Sequence, residues 1–229
     1  MSTIKISEPS SQRSFVSRKL DAVAFKAIGA GTLVTKVVSK ENSTTLAMNL
    51  ALIDLSPATR IGFRGLHAKS HLDDAKVAVP SQPNKMELSD DNALMTLRLS
   101  DNEYWVLDAS TSMSEKLHEL SAVPVPESCY RLYCQDSHAW LMLTGQFIEQ
   151  TMAKICGVDL RKLAFPLNAI VQTSVAKVNA IIVRHEINKI PVFSVLSDSA
   201  SAEYLWDALL DAMAEFDGHV VGIDALGLD

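Results

Sequence analysis

Residues 140–184 constrain the fold more than any other stretch. Trp140-Leu141-Met142-Leu143-Thr144-Gly145 is a short apolar run that stops at a glycine, and 146–156 then carries helical spacing. Gly157-Val158-Asp159-Leu160 and Ala164-Phe165-Pro166-Leu167-Asn168-Ala169 lead on to apolar runs at 169–178 and 180–184. A chain that turns from strand into helix often needs a dihedral that only glycine adopts cheaply. The stretch therefore predicts a strand over 140–143, a break at Gly145 and a helix over 146–156. The same pattern occurs about 80 residues earlier, where Phe63-Arg64-Gly65 precedes a helix-compatible 66–75. Self-similarity at a fixed offset predicts two related lobes.

The other segments fit an α+β chain. The division expected is an arm and lead-in at 1–45, a first lobe at 46–126 and a second at 127–229. Residues 1–13 are polar and Ser-rich, the composition of a loose terminus. Leu20, Val23, Ala24, Ala27 and Ile28 carry a short helical spacing, Gly29-Ala30-Gly31 breaks it, and 32–38 predicts a strand. Gly29-Ala30-Gly31 lacks the third glycine, the preceding strand and the lysine of phosphate loops, and is read as a turn.

In the first lobe, Leu46, Met48, Leu50 and Leu52 alternate at the period of a half-buried strand. Asp54-Leu55-Ser56-Pro57 predicts a turn, 60–64 a strand and 78–92 a polar loop. Leu94, Leu97 and Leu99, then Ser100-Asp101-Asn102, then 104–107 predict a hairpin. A helix over 112–121 would start at Ser112, with Glu115 completing a capping box.

In the second lobe, 130–134 is read as a strand and 135–138 as a turn. Three strands follow at 169–177, 179–186 and 190–196, and a helix at 199–216. Ala202, Leu205, Trp206, Leu209, Leu210 and Met213 form one apolar stripe on that helix. Gly218 is expected to end it. Strands outnumber helices and fall in antiparallel runs, the α+β pattern rather than strict βαβ alternation.

No residue type in this chain stands in a catalytic pattern. His67 and His71 lie four apart on one helix face, the spacing of zinc proteases, but Ala68 stands where the glutamate belongs. Cys129 and Cys134 are five apart, which is not a C-x-x-C zinc pair. With Cys156 they make an odd, sparse set, expected as reduced and buried thiols. Asp73-Asp74 and Asp90-Asp91 are read as solvated charge, and His118, His138, His185 and His219 as surface or core residues. No serine sits in a G-x-S-x-G elbow. No residue is expected in a catalytic, cofactor-binding or metal-binding role.

Composition narrows the partners. The chain has 229 residues, 48% hydrophobic, with 21 basic against 27 acidic residues and a net charge of -6. That is enough apolar material for a large domain or two joined lobes. The acidic balance, with no basic run longer than Arg18-Lys19 or Arg161-Lys162, argues against nucleic acid. No apolar run approaches the ~20 residues of a membrane helix, and the start lacks signal-peptide architecture. A cytoplasmic location without membrane or nucleic-acid partners is expected.

The chain resembles the gamma subunit of heterotetrameric sarcosine oxidase, in the family with the folate-binding fold of the glycine-cleavage aminomethyltransferase. The likeness covers about 50–216. It is carried by Asp54-Leu55-Ser56-Pro57 with Arg60-Ile61-Gly62-Phe63-Arg64-Gly65, and by His138-Ala139-Trp140-Leu141-Met142-Leu143-Thr144-Gly145. Cys156-Gly157-Val158-Asp159-Leu160, Phe165-Pro166, Gln172-Thr173, Ile181-Ile182-Val183-Arg184 and the helix around Tyr204, Leu205 and Trp206 add to it. The resemblance implies a two-lobed α+β fold like the first two domains of that aminomethyltransferase, in a non-catalytic subunit.

Its partners would be alpha, beta and delta subunits in a complex using FAD, FMN, NAD and tetrahydrofolate. That complex would oxidise an N-methyl amino acid and pass the one-carbon unit to tetrahydrofolate. N-methylglutamate dehydrogenases share the four-subunit plan, and the residues do not separate the two. The alternative is a free-standing tetrahydrofolate-binding aminomethyltransferase-like protein, though such enzymes are longer, with a third domain. The resemblance also makes 1–13 and the apolar tail at 219–229 candidates for wrapping a partner.

Overall fold

A computed structural model describes residues 13–20, 22–28, 31–37, 43–109 and 115–227. The arm at 1–12, the Gly29-Ala30 turn and the Ser112 cap lie outside the described residues. The elements in order are β1 (Ala22–Ile28), β2 (Gly31–Val37), α1 (Ser43–Asn49), β3 (Ala51–Asp54), β4 (Arg60–Gly65) and α2 (Ala68–Asp74). Then come β5 (Lys85–Leu88), β6 (Leu94–Arg98), β7 (Glu103–Asp108), α3 (Glu115–Ala122), β8 (Cys129–Leu132), α4 (Cys134–Ser137) and β9 (His138–Thr144). The chain closes with α5 (Ile148–Ala153), β10 (Ile170–Val175), β11 (Val178–Ile187), β12 (Ile190–Asp198), α6 (Ala202–Ala214) and β13 (His219–Val220).

The strands form a six-stranded sheet ordered β10-β11-β12-β9-β3-β13, a five-stranded sheet ordered β5-β6-β7-β4-β8, and the β1-β2 hairpin. Strand alternation gives each large sheet two apolar faces. Trp140, Met142, Val183, Val192 and Leu196 of the larger sheet meet Met95, Leu97, Trp105 and Leu107 of the smaller in one core between them. The larger sheet's other face, with Leu141, Leu143, Ile182 and Val195, packs on Met152, Leu205 and Trp206 of α5 and α6. The smaller sheet's other face, with Phe63, Tyr104 and Val106, packs on Leu72 of α2 and Leu117 and Leu120 of α3. The order of layers is helices, sheet, sheet, helices. This is the expected α+β architecture, with antiparallel sheets and packed helices.

The two halves repeat each other. β4 leads through Gly65 into α2 and then β5-β6-β7-α3, while β9 leads through Gly145 into α5 and then β10-β11-β12-α6. Gly65 has φ 135° and Gly145 has φ 106°. A Cβ on Gly65 would lie 2.1 Å from the Ser128 carbonyl oxygen, and one on Gly145 would lie 2.4 Å from that of Asn49. Both glycines are thus required twice, by dihedral and by close backbone approach.

The strands do not divide between the sheets at 126/127. β3 pairs antiparallel with β9, and β8 pairs antiparallel with β4. Each half lends one strand to the sheet of the other. At a far corner the sheets also touch, where the Met86 amide donates to Asn168 O at 2.9 Å and the Ile170 amide to Asn84 O at 2.9 Å.

Several local expectations are corrected. Residues 22–28 form strand β1 rather than a helix, because they pair with β2 from Ile28↔Gly31 back to Ala22↔Val37. Nine residues are too few for spacing alone to separate the two periods. Residues 43–49 are helix α1, and the strand begins only at Ala51. The buried positions are Leu46, Ala47 and Leu50, a helical stripe, while Met48 is exposed. The polar loop at 78–92 contains β5, held by β6 and by burial of Met86. The turn after α6 falls at Asp217, which has φ 53°, one residue before Gly218.

The tail differs most from expectation. β13 runs parallel to β3, and Val221, Ile223, Ala225 and Leu226 fill the core between the sheets. These residues serve the chain's own core and are not free to wrap a partner.

Candidate functional site

The densest polar structure lies where the two strand-lending linkers cross, 55–59 between β3 and β4 and 133–137 between β8 and β9. Arg60, the first residue of β4, is buried at their crossing. Its Nε donates to Cys134 O at 3.2 Å, and its Nη1 to Ser56 O at 2.9 Å and Ala58 O at 2.8 Å. Its Nη2 donates to Gln135 O at 3.1 Å and to His138 O. Gln135 completes the stitch, as its Oε1 accepts the Arg60 amide at 3.0 Å and its Nε2 donates to Ser56 O at 3.2 Å. Burial pulls the Arg60 guanidinium down to about 10, against the opposing pull of Cys134 and Asp54, so it stays charged at neutral pH.

Neighbouring groups are turned inward too. The Ser56 hydroxyl oxygen accepts the Trp140 amide at 3.1 Å, and the Leu55 amide donates to Trp140 O at 2.9 Å. Asp54 Oδ1 accepts the Ser56 amide at 3.0 Å. Burial pushes the Asp54 carboxyl above the usual range, against hydrogen bonds from Ser14 and Ser56. His138 lies edge-on to the Trp105 ring at 4.7 Å, and burial first, then Arg60, lowers its pKa.

A second polar cluster sits on the inter-sheet face of β9, β11 and β12. The Trp140 indole N–H donates to Ser194 Oγ at 3.0 Å, and Ser194 Oγ lies 2.9 Å from His185 Nε2. Burial pulls His185 down to about 4, so its ring is neutral at pH 7 and shares a hydrogen bond with the Ser194 hydroxyl. Serine beside histidine is the pairing of a nucleophile and its base, but Ser194 is wholly buried and its oxygen is engaged by Trp140. The trio orders the core. A third group, Arg184, joins Glu149 at 2.6 Å and Leu160 O at 2.9 Å.

The sequence candidates end up apart. His67 precedes α2 with its Nδ1 2.7 Å from Glu127 O, and His71 is buried 5.0 Å from the Phe63 ring. Cys129, Cys134 and Cys156 are free and buried. Among the described residues no three His, Cys, Asp or Glu side chains gather at metal-binding distance. Nor does any helix there have the length and apolarity to cross a membrane. His185 was legible in hindsight, because Ile181, Val183, His185 and Ile187 alternate inward along β11. Arg60 was not, because most of its acceptors lie 74 to 78 residues away.

A chain of heterotetrameric sarcosine oxidase from Corynebacterium sp. U-96 in complex with pyrrole 2-carboxylate matches with TM-score 0.61 at 19% identity, over 77% of this chain and 91% of that one. Glycine cleavage system aminomethyltransferase T from Bartonella henselae matches with TM-score 0.68 at 16% identity, over 93% of this chain and 60% of that one. The fold is aminomethyltransferase-like. No protein-family model and no curated protein matches the chain. In the aminomethyltransferase-like fold, the crossing linkers and Arg60 bind the two halves, and Gly65 and Gly145 mark equivalent turns. The chain spans 60% of the Bartonella aminomethyltransferase.

Proposed function

We propose that this chain is a non-catalytic, gamma-type subunit of a flavin-dependent oxidase or dehydrogenase acting on N-methyl amino acids, with alpha, beta and delta partners. The observation that carries the reading is the reach of the match to heterotetrameric sarcosine oxidase. The aligned part is 91% of that chain but 77% of this one, so the matching chain is a small one, followed almost end to end. The interior agrees with a supporting role. Arg60, Ser56, Asp54, Trp140, Ser194 and His185 spend their polar atoms on each other and on backbone. The chemistry, with its FAD, FMN, NAD and tetrahydrofolate, would belong to the partner chains.

The test is affinity capture of the full chain from its native extract. The expected eluate contains three further chains, absorbs as a flavoprotein and oxidises sarcosine or another N-methyl amino acid. A colourless single chain that binds tetrahydrofolate overturns the reading. It would support instead a free-standing folate-binding aminomethyltransferase-like protein, favoured by the match over 93% of this chain to the Bartonella enzyme.

A further inference from the structure

Among the described residues the internal repeat leaves one position unfilled. In the larger sheet β3 is not an edge, because β13 runs parallel along it. The His219 amide donates to Leu50 O at 3.1 Å and the Val221 amide to Leu52 O at 3.1 Å. In the smaller sheet the counterpart of β3 is β8, and β8 is the last strand. The registers align the two. Leu52 faces Leu143, two residues before Gly145, and Arg131 faces Phe63, two residues before Gly65. Arg131 therefore stands where Leu52 stands, and Cys129 where Leu50 stands. In an antiparallel pair successive residues turn their backbone groups to opposite sides. The Gly65 amide bonds Asn102 O on the β7 side, so Gly62 and Arg64 bond toward β8 through Leu132 and Tyr130. The Cys129 carbonyl and the Arg131 amide and carbonyl thus point outward, to the side where, among the described residues, no strand lies.

We infer that the outer edge of β8 receives an extended segment of a partner subunit, running parallel to β8 as β13 runs parallel to β3. This rests on the subunit reading above and names the surface through which that assembly forms. Partner amides would bond Cys129 O and Arg131 O, and a partner carbonyl would accept the Arg131 amide.

The flanks give the occupant's chemistry. Tyr130 in β8, Tyr133 just after it and Leu66 just after the paired β4 have 66%, 75% and 73% of their surface exposed, so the segment carries apolar side chains. The Arg131 guanidinium donates to Val123 O at 2.8 Å, and none of the ion pairs among the described residues includes it. Its charge is met by an acidic side chain on the segment.

A second copy fits less well. A two-fold axis would set β8 antiparallel to β8 and place the two Arg131 residues together. The chain's own arm is rooted elsewhere, with Val16 in the core under α6 and Lys19 2.8 Å from Asp207.

Residue-resolved hydrogen exchange on the captured complex and on the isolated full chain tests this. The Arg131 amide should exchange at least tenfold more slowly in the complex, while the amides of Tyr130 and Leu132, bonded to β4, stay slow in both. Arg131→Pro removes the outward donor, a substitution an edge strand tolerates, together with the guanidinium and its bond to Val123 O; Arg131→Ala removes the side chain alone. Arg131→Pro should cut partner recovery at least tenfold below that of Arg131→Ala while the two isolated chains share one melting temperature, and Tyr130→Asp should also cut recovery. Equal Arg131 exchange in both samples overturns the inference, as does slow exchange in the isolated chain. In the latter case, relief on deleting 1–12 identifies the arm as occupant, and relief on dilution identifies a second copy. A captured flavoprotein complex with an unprotected Arg131 sinks this inference alone. Failure to capture any flavoprotein sinks the subunit reading itself.

Discussion

Arg60→Ala takes a donor from five carbonyl oxygens at the linker crossing, of Ser56, Ala58, Cys134, Gln135 and His138, of which Ser56 O keeps the Gln135 amide. Each buried acceptor left unpaired costs about 1–3 kcal/mol, so a loss of at least ~3 kcal/mol is expected in denaturant unfolding. Arg60→Lys should recover only part of it, because an ammonium cannot span that fan of acceptors. Gly145→Ala and Gly65→Ala should each cost ~3 kcal/mol or more, since the new Cβ meets a carbonyl and the dihedral is left-handed. Equal penalties at the two would support the repeat.

His185 sets a pH dependence. Its folded pKa, about 4, lies below its ordinary value near 6.5, so the unfolded chain binds the extra proton between the two. Stability is whole above pH ~6.5 and falls toward pH 4, by at most ~1.4 kcal/mol per unit from this group. His185→Gln keeps a hydrogen-bonding side chain beside Ser194 and should flatten that part of the profile, read from unfolding midpoints at pH 4–8. His138, also lowered, should leave a residual slope in the variant.

At the level of elements, the tail yields the clearest prediction. Leu226→Ala should cost ~2–5 kcal/mol, as for a buried core leucine. Deleting 219–229 should destabilise the isolated chain, read as a lowered melting temperature.

Elements defined by local chemistry were legible in the sequence. The glycine stops at Gly65 and Gly145, the β6-β7 hairpin and the stripe of α6 all follow from residues close together. The three successive strands expected from 169 to 196 are joined by two-residue turns at Ala176-Lys177 and Asn188-Lys189, each with two positive φ values, the twist that tight hairpins favour. Elements defined by distant partners were not legible. β1 needed β2, β5 needed β6, and the tail needed a core drawn from both halves. The polar crossing depended likewise on backbone carbonyls, which carry no residue identity to read.

At the scale of the whole molecule, the exchange of β3 and β8 makes each sheet depend on the other half. Unfolding should therefore be one transition, with far-UV and tryptophan signals superimposed, and fragments 46–126 and 127–229 should each fail to fold when made separately. Two separated transitions, or one folded fragment, would show that the crossing does not couple the halves.

The same exchange governs how the chain is born. β3 leaves the ribosome about 90 residues before β9, its antiparallel partner, and synthesis adds ~5–20 residues per second. For several seconds the nascent chain carries a short apolar strand with no sheet to join. The smaller sheet can close once β8 has emerged, but the larger cannot until β9 to β13 have been translated. Production of this protein should accordingly depend on holding factors at the ribosome exit, and on slow elongation through the second half, far more than its finished stability would suggest.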